Sequence, residues 1–309
     1  LPDVLEFDGP FLYNYVWQGH LRPLDDLLPD AVRENVISSV IEQGTYRGRL
    51  YSVGMYDSGQ CLYGRRSMLE AVGARIPAHP KDAWTVEEFD GLLEKLAERD
   101  DDGQVLDLKL NYRGEWYTYG FSPVLQSAGA ALINRPEYDK ADGVLNSARA
   151  VEAMEHFQRW VHERDRVDPN LDDRAFVGGR VALSWVGHWE YQRYSKAFGD
   201  DLVLLPLPDF GEGAKSGQGS WNWSITKRCG HPEAAMAFIE FLLEDEQVTR
   251  MTDANAAVPA TWSGIEASTL YTEDSPLQLF VTQLTKGYTV PRPRTQAYGV
   301  ITDVFAKAF

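Results

Sequence analysis

Apolar positions along this chain follow two rhythms. Recurrence every third and fourth residue predicts helices, and alternation or short apolar runs predict strands. The clearest helix runs from Trp84 to Glu98, where Phe89, Leu92, Leu93, Leu96 and Ala97 form one stripe. Thr85 and Glu88 make the S/T-x-x-E capping box at its start, and Trp84 with Phe89 fits a hydrophobic staple. Val151, Met154, Phe157 and Val161 mark a second amphipathic helix. A third begins at Pro232, with Ala235, Phe238, Ile239 and Leu242 apolar, and a short one, Met68 to Val72, closes at Gly73. Pro10 suits a first helical position, with Phe11, Tyr15 and Val16 on one face and Gly19 as the stop.

Strand patterns cover Leu1 to Phe7, Leu50 to Val53, Gln60 to Tyr63, Leu106 to Leu108, Val181 to Val186, Leu202 to Leu205 and Trp221 to Thr226. The last alternates strictly, which puts Trp221, Trp223 and Ile225 on one side. Four glycines between Gly211 and Gly219 mark a linker or hinge. Strands alternating with helices give an α/β fold class.

The chain has 309 residues, enough for two lobes, and a formal net charge of −16. That charge argues against nucleic acid and against an anionic membrane surface as partners. The sequence holds no run of about 18 apolar residues that would span a bilayer. It starts without a Met and without a charged-then-apolar leader, so both ends read as cut and any signal segment as removed. Cys61 and Cys229 read as two buried thiols, with one bridge as the alternative.

Catalytic and cofactor motifs are missing from the pattern. The six histidines form no H-E-x-x-H or H-x-H pair, so neither a zinc site nor any other metal is expected. There is no G-x-S-x-G elbow, and Gly211, Gly213 and Gly217 miss dinucleotide spacing, so no cofactor is expected. Glu98 to Gly103 imitates the start of a calcium loop, but Lys109 stands where a bidentate Glu is required, and a solvated turn is the better reading. Asn222-Trp223-Ser224 is a formal glycosylation sequon inside a strand pattern. A carboxylate pair for glycoside hydrolysis has no marker in the linear sequence.

Aromatic residues interleaved with polar ones do stand out: Trp116-Tyr117-Thr118-Tyr119, Trp185 with His188-Trp189, Trp221 with Trp223, and Tyr298. Those near residues 116 and 189 read as loop positions just beyond strand ends, where ligands bind in open α/β sheets. Flat rings there suit the C–H faces of a sugar, with Asp, Asn and Arg side chains bonding its hydroxyls.

Several segments in order resemble the extracellular solute-binding proteins family 1, the sugar-binding components of ABC importers. They are Pro2-Asp3-Val4 through Gly19-His20-Leu21-Arg22-Pro23-Leu24-Asp25; Tyr46 to Tyr51 with Asp57 to Tyr63; and Trp84 to Phe89. Phe176 to Leu183 with Gly187-His188-Trp189, Glu233 to Leu242, and Pro259 with Arg292-Pro293 and Tyr298 complete the set. Gly64 and Arg65 depart from that family's usual Asn and Lys.

The resemblance implies two α/β lobes with a ligand cleft between them, a periplasmic-binding-protein-like fold of type II. It puts residues 1–60 and 214–290 in one lobe and 61–213 and 291–309 in the other, with hinge crossings near 59, 211–219 and 291. Family members carry a strand, a helix and a second strand ahead of this segment and helices beyond it, so the expected first lobe is incomplete. The implied activity is non-catalytic: hinge closure on a sugar or oligosaccharide and delivery to a membrane permease, by an extracytoplasmic monomer with room for a lipid anchor before Leu1. Trp189 and Trp116 or Tyr117 are expected as stacking platforms, and Tyr298 and Trp221 as closing groups. Asp57, Asn222, Arg292 and Asp8 are expected to bond hydroxyls. A carbohydrate-active enzyme is the rival class, and a polyol, opine or amino acid the rival ligand.

Overall fold

The structure, a computed structural model, describes residues 2–309. Its largest sheet has four strands in the order Leu106–Asp107, Leu183–Gly187, Gln60–Arg65 and Leu202–Leu205. The first pair is parallel; Gln60–Arg65 runs antiparallel to both of its neighbours. All five residues of Leu183–Gly187 are buried, as expected for a central strand covered on both faces. Helix Val86–Ala97 packs against this sheet through Phe89, Leu92, Leu93 and Leu96. Its start carries the capping box: Thr85 Oγ1 accepts from the Glu88 N–H, and the Glu88 carboxylate accepts from the Thr85 N–H.

A second, smaller sheet pairs Val4–Asp8 antiparallel with Trp221–Ile225. Its core is separate and is built from Leu24, Val40, Leu50, Ile225, Met236 and Ile239. The alternation of Trp221–Ile225 is real, but both faces of the strand are used. Asn222 and Ser224, on the polar face, are fully buried, whereas Trp221 is 50% exposed. The Asn222 amide nitrogen donates to Gln43 and to the Ser220 carbonyl, and Ser224 donates to the Tyr51 carbonyl at 2.6 Å, which offsets the burial of these polar groups. The sequon at Asn222 is therefore sealed from solvent.

Three chain segments lie side by side between the two sheets. Ser216–Gln218 pairs parallel with Thr289–Pro291, and the Gln60 N–H donates to Ser216 Oγ at 2.8 Å. The glycine-rich stretch thus contains a short strand. Residues 256–280, expected with the first lobe, contribute Val258, Tyr271, Leu277 and Phe280 to the core of the four-stranded sheet. Phe280 lies against Gly59, so close that a Cβ at 59 would meet its ring at 2.7 Å.

Trp116 to Tyr119, read from sequence as a loop, form the first turns of helix Glu115–Ser127, which contains Pro123. An interior proline leaves the carbonyl four residues earlier without its N–H. Here that carbonyl belongs to Tyr119, and the Gln60 side-chain amide donates to it at 2.6 Å. The acidic turn after Ala97 is closed by its own side chains: Asp100 accepts from the Asp102 and Gly103 N–H groups and Asp102 from the Gln104 N–H. Lys109, in the place of the missing calcium ligand, is buried and paired with Asp107 and Asp173. Cys61 and Cys229 are free, buried thiols in different cores. Among the described residues no helix is long and apolar enough to cross a membrane.

Candidate functional site

Two of the cavities are lined by several aromatic rings. One, of about 660 Å³, runs along the apolar side chains of Tyr117, Met154, Phe157 and Phe309. The other, of about 410 Å³, opens between the two sheets. The smaller one is the candidate, because aromatic faces and a buried guanidinium–carboxylate triad converge there. Asp8 and Trp221 come to it from the small sheet, Glu115, Trp116 and Tyr119 from one helix, Trp189 from beyond strand Leu183–Gly187, and Arg292 from the third crossing segment.

The aromatic wall is built tightly. Trp116 and Trp189 meet edge to face with centroids 5.9 Å apart, and Tyr119 lies 6.2 Å from each. Trp116 is 93% buried and its Nε1–H donates to the Leu108 carbonyl at 3.0 Å. Trp189 crosses directly over Gly187, where a Cβ would overlap its ring. Its Nε1–H donates to the Tyr112 hydroxyl, which in turn donates to Glu190 at 2.8 Å. Tyr112 is thus a positioning residue for the Trp189 ring. Burial, followed by the Glu190 charge, pushes the Tyr112 phenol up, so it stays a donor at neutral pH.

Arg292 forms the polar centre. One Nη donates to each Asp8 oxygen at 2.6 Å, and the first of them also donates to Glu115 at 2.7 Å. The guanidinium lies over the Tyr119 ring at 4.9 Å, a cation–π contact. Burial works against this charge, but Asp8, Tyr298 and Glu115 outweigh it and hold the group protonated. Glu115 is itself fixed by hydroxyl donors from Tyr298 and Thr302.

His188 closes one end. Asn255 offers it a backbone carbonyl 2.9 Å from Nδ1, so Nδ1 carries the proton and Nε2 accepts from Ser58 Oγ at 3.0 Å. Burial lowers its pKa to about 4, the Asn255 bond opposing only in part, so the imidazole is neutral.

Of the nine residues expected from sequence, Asp8, Trp116, Trp189, Trp221 and Arg292 line this cavity. Tyr117 does not: its ring packs on Phe121 and Phe309 and its hydroxyl donates to the Leu110 carbonyl. It sits one position along the helix from Trp116, about 100° around the axis. Asn222 points to Gln43 instead, inside the small sheet's buried face. Tyr298 is fully buried and acts on the site through its bond to Glu115 and its ring beside the Arg292 guanidinium, 6.0 Å away. Asp57 lies behind the cavity, where one carboxylate oxygen accepts from the Ser58 and Gly219 N–H groups. Burial pushes its pKa up against those bonds and the Arg292 charge.

Sequence reasoning missed Glu115, Tyr119, Tyr112 and His188 as site residues. A helix starting at residue 115 would have supplied the signal for the first two, since position 119 then lies one turn on from both 115 and 116.

The family model of the bacterial extracellular solute-binding proteins matches residues 1–275. The chain belongs to that family. This solute-binding protein is similar to the maltodextrin-binding protein MdxE of Bacillus subtilis, 22% identical over 269 residues, which covers 84% of this chain and 60% of that one. It spans about 60% of the length of the curated relatives it matches. Maltose-bound MalE3 of T. maritima superposes with a TM-score of 0.81 at 20% identity, over 99% of this chain and 78% of that one. UgpB from Mycobacterium tuberculosis in complex with glycerophosphocholine gives 0.82 at 18% identity, over 99% and 78%. These likenesses show the fold: a two-lobed α/β solute-binding architecture, with the cavity described above between the lobes.

Proposed function

We propose that this solute-binding protein captures a sugar or oligosaccharide in the cleft between its lobes and delivers it to the transmembrane permease of an ABC importer. The observation that carries this reading is the convergence of the Trp116–Tyr119–Trp189 wall with the Asp8–Arg292–Glu115 triad in one cavity of about 410 Å³. Rings offer faces to sugar C–H groups while charged planar groups hold hydroxyls in fixed directions. The family and the maltodextrin-binding relative support the same reading. It makes the chain a binder, working outside the cytoplasm as a monomer, held at the membrane by a lipid anchor where one precedes Leu1.

The mechanism we infer is hinge closure. The three adjacent segments near residues 59, 211–219 and 291 are the hinge, with residues 1–60 and much of 214–290 in one lobe and 61–213 with 291–309 in the other. A ligand held by Trp221 and Asp8 on one side and Trp189 and Glu115 on the other binds the closed state better, and shifts the equilibrium by that difference.

The test is a thermal-shift screen of the purified protein against mono- and oligosaccharides, polyols, opines and amino acids, with chromatography of the ligand afterwards. A binder at about 100 times its Kd adds about 2.7 kcal/mol of stability. A shift with a sugar recovered intact is expected. Cleaved sugar would replace the receptor by an enzyme, and a shift only with amino acids or opines would replace the ligand class.

A further inference from the structure

We propose that the cleft selects against anionic ligands, so that its solute is a neutral or amino sugar rather than a sugar acid, a phosphorylated sugar or a phosphodiester. This rests on the sugar-binding reading above and narrows it. Among the described residues, Arg292 is the only Lys or Arg lining the cavity, and it faces two lining carboxylates, Asp8 and Glu115. One guanidinium against two carboxylates leaves the lining one charge negative.

Both Nη groups of that guanidinium are already engaged. Asp8 takes it bidentately and Glu115 accepts a third bond, all between 2.6 and 2.7 Å. The arrangement is a charge-assisted fork of the kind that otherwise grips a ligand carboxylate or phosphate. The Arg292 side chain is only 5% exposed, whereas Asp8 and Glu115 are 18% and 30% exposed, so an incoming ligand meets carboxylate oxygens before it meets the cation. The Nε–H is buried without a partner. The one other ionisable base in the lining, His188, is neutral in the structure and spends both ring nitrogens on Ser58 and Asn255. Asp57, just behind, brings a further carboxyl rather than a cation.

An anionic group brought into this cleft would shed its water, meet a guanidinium whose Nη groups are already bonded to carboxylates, and face at least one unneutralised carboxylate. Hydroxyls and ammonium groups, by contrast, can donate to the remaining lone pairs of Asp8 and Glu115.

The experiment compares matched ligands by calorimetry: glucose, glucosamine, glucuronate and glucose 6-phosphate; galactose and galacturonate; and maltose and maltobionate. In each set whose neutral member binds, the anionic member is expected to bind at least thirtyfold more weakly, and added salt to narrow that gap. Asp8→Asn frees one face of Arg292 and is expected to shrink the neutral-to-anionic ratio at least tenfold, whatever it does to neutral affinity. Glu115→Gln, which removes the other carboxylate, does the same should the first variant fold poorly. An anionic member binding the wild type within threefold of its neutral partner would overturn the proposal. Binding of no sugar of any charge, in that panel or the wider screen, would overturn the sugar reading itself and this proposal with it.

Discussion

Acidification should weaken this protein through one identifiable imidazole. His188 is buried among Tyr56, Trp189 and Phe280, with ring centroids 5.2 to 6.5 Å away, and none of these rings carries a charge. Its pKa is about 4 in the folded chain against 6.5 ordinarily, because burial penalises the imidazolium. Between those values the unfolded chain binds the extra proton and the folded one does not, so stability is complete above about pH 6.5 and declines as pH falls towards 4. At pH 4.5 the loss is about 2–3 kcal/mol, from 1.36 kcal/mol per pH unit less the small fraction protonated in the folded state. Other groups titrate in the same range, so the assay is a difference: urea unfolding of the wild type and His188→Gln at several pH values from 7.5 to 4.5. The advantage of the wild type is expected to shrink by that amount. The imidazole Hε1 resonance, followed by NMR, should stay at its neutral position to below pH 5. A resonance titrating near 6.5, or a variant with the wild type's pH dependence, would refute the reasoning.

Three further substitutions follow from packing and hydrogen bonding. Gly187→Ala places a methyl in the Trp189 ring, and is expected to cost about 1–3 kcal/mol in urea unfolding and to weaken sugar binding along with it. Tyr112→Phe strips the Trp189 N–H and Glu190 of a shared partner, for a loss of about 1–2 kcal/mol, checked by the same unfolding curves and by a changed tryptophan emission. Thr85→Ala opens the capping box of the Val86–Ala97 helix and should lower stability by about 1 kcal/mol while leaving ligand affinity unchanged, which calorimetry would show.

What the sequence disclosed depended on how local the cause was. The Val86–Ala97 helix was legible because its cap, staple and apolar stripe all lie within fifteen residues of one another. Trp189 was legible from its place beyond a strand rich in apolar residues. The Glu115–Ser127 helix was not, because Gly120 and Pro123 argue against a helix and the compensating donor comes from Gln60. The Asp8–Arg292 pair joins residues 284 positions apart, a distance no periodicity spans. The burial of Asn222 was hidden for a related reason: its place in the alternating strand gives no sign that Gln43 arrives from elsewhere to meet its amide.

Pro123 has one further consequence. In an ordinary helix the Tyr119 carbonyl would bond within its own element; here it bonds Gln60, whose side-chain oxygen also accepts from Trp185 and whose backbone meets Ser216 and Gln283. Two positions 63 residues apart are thereby made dependent on each other, because losing the amide at 60 orphans a carbonyl only while a proline occupies 123. Across related chains the two sites should therefore drift as a pair. A helix former at 123 would release 60 to vary, and a proline there would hold it to residues that can donate a hydrogen bond.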